Sequence, residues 1–306
     1  MVSIVAKRIK GNEYLYLIDS VRENGKVVQK TLKYIGRKRP VPKEEFACMK
    51  LSAKGEDWIL LNTEDTLSYQ DHLEMKTLSD KRKAYLKQLD KLSQEKERER
   101  FLAMFIANSN AIEGSTVTVQ ETFNYLFHDV APAGKSRKEL YMASNLLTAY
   151  AYVEKNCTRI PMEKDMRILH KLVNKDIEDE ETLGKHKNIQ NYIGDVYTTS
   201  YLYVKERMAM LFSWIQKAYK TLNDFEVAFQ SHAQFELIHP FVDGNGRVGR
   251  LLLNWLLMHK KLAPLAIKLK RRNEYLSALR NAQQGNPRAI CQFCFEEYKE
   301  QYRFAA

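Results

Sequence analysis

"ELIHPFVDGNGRVGRLLL", residues 236–253, sets a histidine, a proline, two acids, three glycines and two arginines just ahead of an apolar run of helical character. Pro240 disfavours helix at the residue before it, so the preceding segment is expected to end at His239 and to leave that imidazole at an exposed loop start. Gly244-Asn245-Gly246 permits a tight turn directly before the apolar run that begins at Val248. Amide N–H groups then gather at a helix amino terminus, which suits an anion. Arg247 and Arg250, three residues apart on that helix, can bind further phosphate oxygens through paired hydrogen bonds. Asp243 would be repelled by bare phosphate but becomes favourable once Mg²⁺ sits between them. With a neutral imidazole at His239 to accept a hydroxyl proton, the parts suffice to move a phosphoryl-type group from a nucleotide to an alcohol. Each part alone has a plainer reading as a structural histidine, an ordinary turn or a solvated arginine pair. Their joint occurrence between 239 and 250 favours the chemistry.

The chain has 306 residues, 44% apolar and 28% charged, enough for one large core or two modest ones. No basic-then-apolar leader opens the sequence, and the apolar stretch Leu251–Met258 is far shorter than the roughly 18 residues of a membrane span. The expectation is a cytoplasmic protein with no membrane partner. Cys48, Cys157, Cys291 and Cys294 are too scattered for a disulfide framework. Cys291 and Cys294 lack the second pair or histidine doublet of a structural zinc set, so they read as buried free thiols. Residues 1–50 hold 12 Lys and Arg against 5 Asp and Glu, which supplies +7 of the net charge of +11. A basic amino-terminal segment fits a nucleic acid or an acidic protein partner, and equally a solvated surface.

The organisation expected is mainly α, with a small β-containing head. "YLYLIDSVRENGKVVQKTLKYIG", 14–36, gives two β-rich runs around Asn24-Gly25, the dipeptide suited to a type I′ hairpin. Residues 36–45, basic and broken by Pro40 and Pro42, read as a linker. From about Ser79 helical periodicity dominates, through Tyr85, Leu86, Leu89, Leu92, Leu102, Phe105 and Ile106. The charge block 94–100 reads as a solvated helix face. Further helices are expected over 119–128, 136–155, 161–176, 203–221, 225–238, 247–260, 272–284 and 287–302. The units are a basic β-rich segment at 1–60, a helical linker at 61–118, and a helical core with its carboxy-terminal helices at 119–306. One interruption stands out: "GKHKNIQNYIGDVYTTSYLY", 184–203, rich in Tyr, Thr and Asn around Gly194, suits a short hairpin better than a helix.

The segment "HPFVDGNGRVGR", 239–250, resembles the signature of the Fic family, HPFx(D/E)GNGRxxR, and agrees with it at every specified position. The resemblance implies an α-helical Fic core that transfers AMP from ATP to a protein Ser, Thr or Tyr hydroxyl, its own included, with Mg²⁺ as cofactor. By position, His239 would deprotonate the target, Asp243 would hold Mg²⁺, Gly244, Asn245, Gly246 and Arg247 would bind the phosphates, and Arg250 would grip the terminal one. The intact GNGR distinguishes the chain from the kinase-like branch. Upstream, "SNAIEG", 109–114, resembles the family's inhibitory pattern (S/T)xxxE(G/N), which implies that Glu113 pairs with Arg250 and takes the charge that ATP needs. The hairpin before the core motif, with Tyr192, Ile193 and Gly194, would hold the target as an added strand. Here the family's GxYR reads Gly184-Lys185-His186-Lys187, and Asn191 and Tyr192 replace aliphatic residues. Tyr275, and Gln283 in a place where Asn is frequent, would approach the adenosine. A homodimer is an assembly the resemblance allows. Two other readings stay open: a deAMPylase or phosphodiesterase using the same pocket, and a nucleic-acid-binding or regulatory protein with a Fic nucleotide sensor.

Overall fold

The computed structural model describes residues 1–23, 26–56, 64–193 and 196–303. The chain opens with an antiparallel sheet ordered β1 (Val2–Ile9), β2 (Asn12–Glu23), β3 (Lys26–Arg37). Strands β2 and β3 pair from Tyr14 opposite Arg37 to Glu23 opposite Lys26, so the two runs form the expected hairpin. Its turn, Asn24 and Gly25, lies outside the described residues. Helices follow: α1 (Lys43–Lys54), α2 (Tyr69–Gln88), α3 (Lys91–Ile112), α4 (Val119–His128), α5 (Arg137–Asn156) and α6 (Glu163–Asn174). A two-stranded flap, β4 (Tyr192–Ile193) and β5 (Val196–Tyr197), precedes α7 (Val204–Ala218), α8 (Asp224–Ile238), α9 (Asn245–His259), α10 (Arg272–Gln283) and α11 (Arg288–Tyr302). The fold is mainly α with a β-hairpin flap and a small β head.

The helices expected beyond residue 119 are present with shifted ends, because polar caps set several starts. Thr118 and Ser136 each accept the N–H three residues on, while Glu121 and Glu139 accept the cap's own N–H. Five expectations are corrected. The first 60 residues also contain α1. Helix begins at Tyr69 rather than Ser79, through a capping box of Ser68 and Asp71. The periodic stretch is broken at Leu89–Asp90, where Asp90 accepts the Ser93 N–H at 2.9 Å and starts α3. The charge block 94–100 is no solvated face alone, since Arg98 pairs with Glu154 of α5 at 2.6 Å and Glu97 with Arg82 of α2 at 2.9 Å. The linker is also shorter than 36–45: β3 reaches Arg37 and α1 starts at Lys43.

Helices α8 and α9 lie at the centre, in contact with each other and with α3, α5, α6, α7, α10 and α11. All of α8 from Phe225 to Ile238 is buried, as is α9 from Arg247 to Leu257. A helix buried all round should be apolar, yet α8 carries Glu226, Gln230, His232, Gln234 and Glu236 inside. Glu226 explains itself. Its carboxylate accepts N–H groups of Thr66 and Leu67 at 2.7 Å, His72 Nε2 at 3.1 Å and Gln230 Nε2 at 3.0 Å. Burial pushes its pKa up, but these donors win and hold it at about 2. The chain ahead of α2 is thereby fastened to the central helix.

The head has its own small apolar cluster of Leu17, Met49 and Tyr203, joined by Ile4, Leu32, Ile35 and Phe46. Ser52 accepts the Ser200 N–H at 2.9 Å through its hydroxyl, and its carbonyl accepts Arg207 Nη2 at 2.8 Å. Lys33 pairs with Glu206 and lies 4.7 Å from the Tyr203 ring centre. The head is thus keyed to the segment that leaves the flap. Cys48, Cys291 and Cys294 are buried free thiols, and Cys157 is half-buried. Among the described residues no helix is long and apolar enough to cross a membrane.

Glu226→Ala strands several enclosed donors at once. It should cost on the order of 3–5 kcal/mol, read as a lower urea midpoint; an unchanged midpoint would contradict the fastening role.

Candidate active site

Helix α8 ends at His239, which adopts a left-handed conformation (φ 49°, ψ 61°) and donates its N–H to Phe235 O at 2.9 Å. Proline at 240 forbids the helical alternative, so the turn throws the imidazole inward. The expectation of an exposed loop start is corrected: the His239 side chain is 17% exposed. Its Nδ1 lies 3.3 Å from Glu236 O, so Nδ1–H donates there and Nε2 keeps its lone pair. Burial, with help from the nearby Lys187 charge, pushes its pKa down to about 3.

The loop between α8 and α9 is held from three sides. Asn245 closes it, accepting the Phe241 N–H and donating to Phe241 O, each at 2.9 Å. That side chain is committed to the loop, which leaves the backbone amide for an anion. His170 accepts the Gly184 N–H through Nδ1 at 2.9 Å, so its Nε2–H donates to Asp243 O at 3.1 Å. Gly244 has φ +73°, and a Cβ there would sit 2.4 Å from Asn174 Nδ2, so only glycine fits. Helix α9 then starts with its first amides facing the cradle.

Arg247 and Arg250 are both 2% exposed, not solvated. Arg247 Nη2 donates to Asn174 Oδ1 at 3.0 Å, while its Nε and Nη1 are buried with no acceptor. Enclosed guanidinium donors of this kind fit the oxygens of a phosphate. Arg250 is fully engaged. Its Nε donates to Ser109 Oγ at 2.8 Å, and its Nη2 to Ser109 O at 2.8 Å and Glu113 Oε1 at 2.7 Å. Both fixed residues of "SNAIEG" therefore hold one guanidinium. A Cβ at Gly246 would lie 2.2 Å from Glu113 Oε1, so the carboxylate rests directly on the turn. Glu113 ends α3, and the loop beyond it is tied to α5 because Glu139 accepts the Thr116 N–H at 2.7 Å.

A cavity of about 280 Å³ brings together Glu113, Ile193, His239, Gly246, Arg250, Tyr275 and Gln283. It falls just below the roughly 300–1,000 Å³ of ordinary ligand sites. Gly244, Asn245, Arg247, Asp243 and Tyr192 lie outside its lining. The Asp243 carboxylate is 61% exposed and 3.6 Å from Arg247 Nη2. Glu178 stands near it, its pKa raised by burial and by the Asp243 charge. An open carboxylate with a second one close by, beside phosphate donors, fits Mg²⁺, which takes one or two carboxylates and keeps water.

The flap strands pair Tyr192 with Tyr197 and Ile193 with Val196; Gly194 lies outside the described residues. Lys187, buried beneath the flap, donates to Asn191 Oδ1 at 2.6 Å and Thr198 Oγ1 at 2.9 Å. Asn191 Nδ2 donates to Phe241 O at 2.8 Å. The two departures from the family pattern at 187 and 191 thus contact each other, and together they moor the flap to the histidine loop.

Sequence reasoning missed Glu236 and His232. Glu236 lines the cavity, and burial pushes its pKa up to about 8. His232 Nε2 lies 2.6 Å from the Tyr275 hydroxyl, and burial holds its pKa down at about 3. The signal was present: 232, 236 and 239 share one face at helical spacing. Arg272 and Arg280 also line the cavity.

Comparison with known proteins now decides the family. Residues 160–257 match the Fic/DOC family, and residues 2–51 match the IS1634 family transposase N-terminal domain. Over residues 160–257 the helical core is similar to Fic domains. Protein adenylyltransferase fic-1 of Caenorhabditis elegans is 28% identical over 197 residues, 62% of this chain and 38% of the relative. Protein adenylyltransferase Fic of Nematostella vectensis is 31% identical over 194 residues, 61% of this chain and 45% of that relative. The chain thus spans less than half the length of these relatives. The solved Fic-1 of C. elegans shares the fold with a TM-score of 0.67 at 23% identity, covering 77% of this chain and 71% of that one. A Fic-domain signalling protein from Bacteroides thetaiotaomicron has a TM-score of 0.68 at 22% identity, covering 76% and 95% respectively.

Buried titratable groups make stability depend on pH. His170, pushed down to about 4 by burial, His232 and His239 stay neutral in the native Fic core, so the unfolded chain binds three extra protons below about pH 6.5. Glu236 acts oppositely, because the native state keeps a proton up to about pH 8 that the unfolded chain loses above about pH 4.5. The net is two protons. Stability should fall by up to about 2.7 kcal/mol per pH unit between about pH 6 and 5, seen as a falling melting temperature; a flat or rising profile would contradict it.

Proposed function

We propose that the chain is a protein adenylyltransferase held in a self-inhibited state by Glu113. One contact carries the reading: the Glu113 carboxylate on Arg250, seated against Gly246 in the cavity that holds His239. A nucleotide's terminal phosphate and this carboxylate compete for one guanidinium, so ATP enters productively only when the carboxylate leaves. The names of the adenylyltransferase relatives support the reaction class.

In the released state, the amides of Gly246 and Arg247 at the start of α9 bind phosphate oxygens, with the free Nε and Nη1 of Arg247. Tyr275 and Gln283 border the adenosine end of the cavity. The flap holds the target segment by strand addition, with Tyr192 and Ile193 at its edge. His239 Nε2 takes the proton from the target hydroxyl, and the freed oxygen attacks the α-phosphorus as the bond to the bridging oxygen breaks and pyrophosphate departs. Asp243 would hold Mg²⁺, which when bound would supply neutralising charge on the phosphates. The reverse sense is the second reading, favoured by a carboxylate lying in the same cavity as the base, where it can orient a water. The head, similar over residues 2–51 to a transposase amino-terminal domain, is read as a recognition module apart from this chemistry.

The test is incorporation of labelled AMP by the full chain with ATP and Mg²⁺, followed by mass spectrometry. Glu113→Gly should raise labelling at least about tenfold, roughly 1.4 kcal/mol, and adding His239→Ala should abolish it. Equal labelling by wild type and Glu113→Gly would remove the self-inhibited reading. Release of AMP from a modified target by wild type, lost in Glu113→Gly, would establish the reverse sense instead.

A further inference from the structure

We propose that the solvent-facing side of the amino-terminal sheet binds single-stranded nucleic acid. This deepens the reading of the head as a recognition module and is independent of the transfer reaction. The sheet has two different faces. Leu17, Ile4, Leu32 and Ile35 turn toward α1 and Tyr203. The other face gathers Tyr14, Tyr16 and Tyr34, with ring centres of Tyr34 at 6.0 Å from Tyr14 and 5.3 Å from Tyr16. Tyr34 is 53% exposed although it is large and aromatic.

The cations on this face have no acid to answer. Lys7 lies 4.9 Å from the Tyr16 ring centre and donates to Thr31 Oγ1 at 3.3 Å. Arg37 stands opposite Tyr14 in the strand register, on the same face. Four acids of the head are engaged elsewhere: Glu13 with Lys38, Glu23 with Lys30 and Glu45 with Arg39, while Asp19 meets the amino-terminal ammonium. Among the described residues neither Lys7 nor Arg37 has a carboxylate partner. Two unanswered cations of the basic head therefore lie beside the rings.

Three rings with flanking cations match one ligand chemistry. Bases stack on exposed aromatic faces irrespective of sequence, and Lys and Arg track the phosphates. Tyr14 and Tyr16 alternate along one strand at about 6.8 Å, so separate rings can meet separate bases. A duplex hides its base faces and leaves the rings unused, which favours a single strand. The plain alternative is that the rings only stiffen a small sheet by cross-strand contact.

The experiment is fluorescence anisotropy of the full chain with a dye-labelled oligothymidylate of about 15 nucleotides, with a uridine oligomer and a duplex as the other arms. Binding should weaken with salt, and the combined Lys7→Ala, Arg37→Ala variant should reduce the logarithmic salt slope by about 1–2. Tyr34→Ala should weaken binding roughly tenfold, whereas Tyr34→Phe, which keeps the ring, should bind as wild type. Melting curves check that the variants fold, and the salt slope carries the test if Tyr34→Ala does not. Binding of either single strand supports the proposal, and the tighter one names the source. No binding at about 50 mM salt, or duplex binding equal to the single strand and indifferent to Tyr34→Ala, overturns it. AMP labelling measured on the same samples keeps a failure here distinct from a failure of the transfer reaction.

Discussion

A guanidinium enclosed in a protein core must find acceptors, and Arg250 finds its main ones at the carboxy-terminal end of α3. Ser109 supplies a hydroxyl and a carbonyl, and Glu113 supplies the carboxylate. Removing one member of such an enclosed pair leaves a charge with nothing to meet it, so the unplugged pocket is stable only when another anion takes the place. On the proposed reading, inhibition and nucleotide binding are two occupancies of the same position. It also explains why α3, remote in sequence from the motif, ends where it does. The loop after Glu113 is tied to α5 through Glu139, so the carboxylate is presented by a fixed rod and a fixed turn.

The polar content of α8 follows from the same constraint. Glu226 fastens the entry to α2, Glu236 lines the cavity, His232 one turn earlier meets the Tyr275 hydroxyl behind it, and His239 ends the row. An all-apolar helix would pack as well but could not carry a base beside an anion site. Desolvation outweighs the neighbouring charges in setting protonation. Burial keeps His239 neutral and Glu236 protonated, so the two groups at the pocket wall carry no net charge at neutral pH. That leaves the arginines and the helix terminus to dominate the field felt by a phosphate.

The sequence made the helices of the Fic core legible because their amphipathic periods and turn residues are local signals. Pro240 marks the end of α8, and Gly244 marks the turn into α9 with its left-handed backbone. The motif residues could be named, and the partner of Arg250 could be named through the resemblance. What could not be read was burial. Nothing local distinguishes an arginine pair on a wet face from one at 2% exposure, and His239 looked exposed because the turn direction depends on packing against α6 and the flap. Glu236 was overlooked since nothing local shows that an acid in this helix is enclosed. The Lys187–Asn191 contact was hidden for a similar reason: each residue departs from the family pattern, and only their meeting at 2.6 Å makes sense of both.

That contact has a consequence for how a partner is taken up. The flap's incoming arm is anchored to the histidine loop through Lys187 and Asn191, and its outgoing arm leads to Ser200, which Ser52 of the head grips. A ribbon tethered at both ends has already surrendered most of its freedom. On the proposed reading of the flap as the target's edge, an arriving polypeptide would lose mainly its own disorder on docking, and selectivity would shift from the shape of the edge to the flexibility of what approaches it.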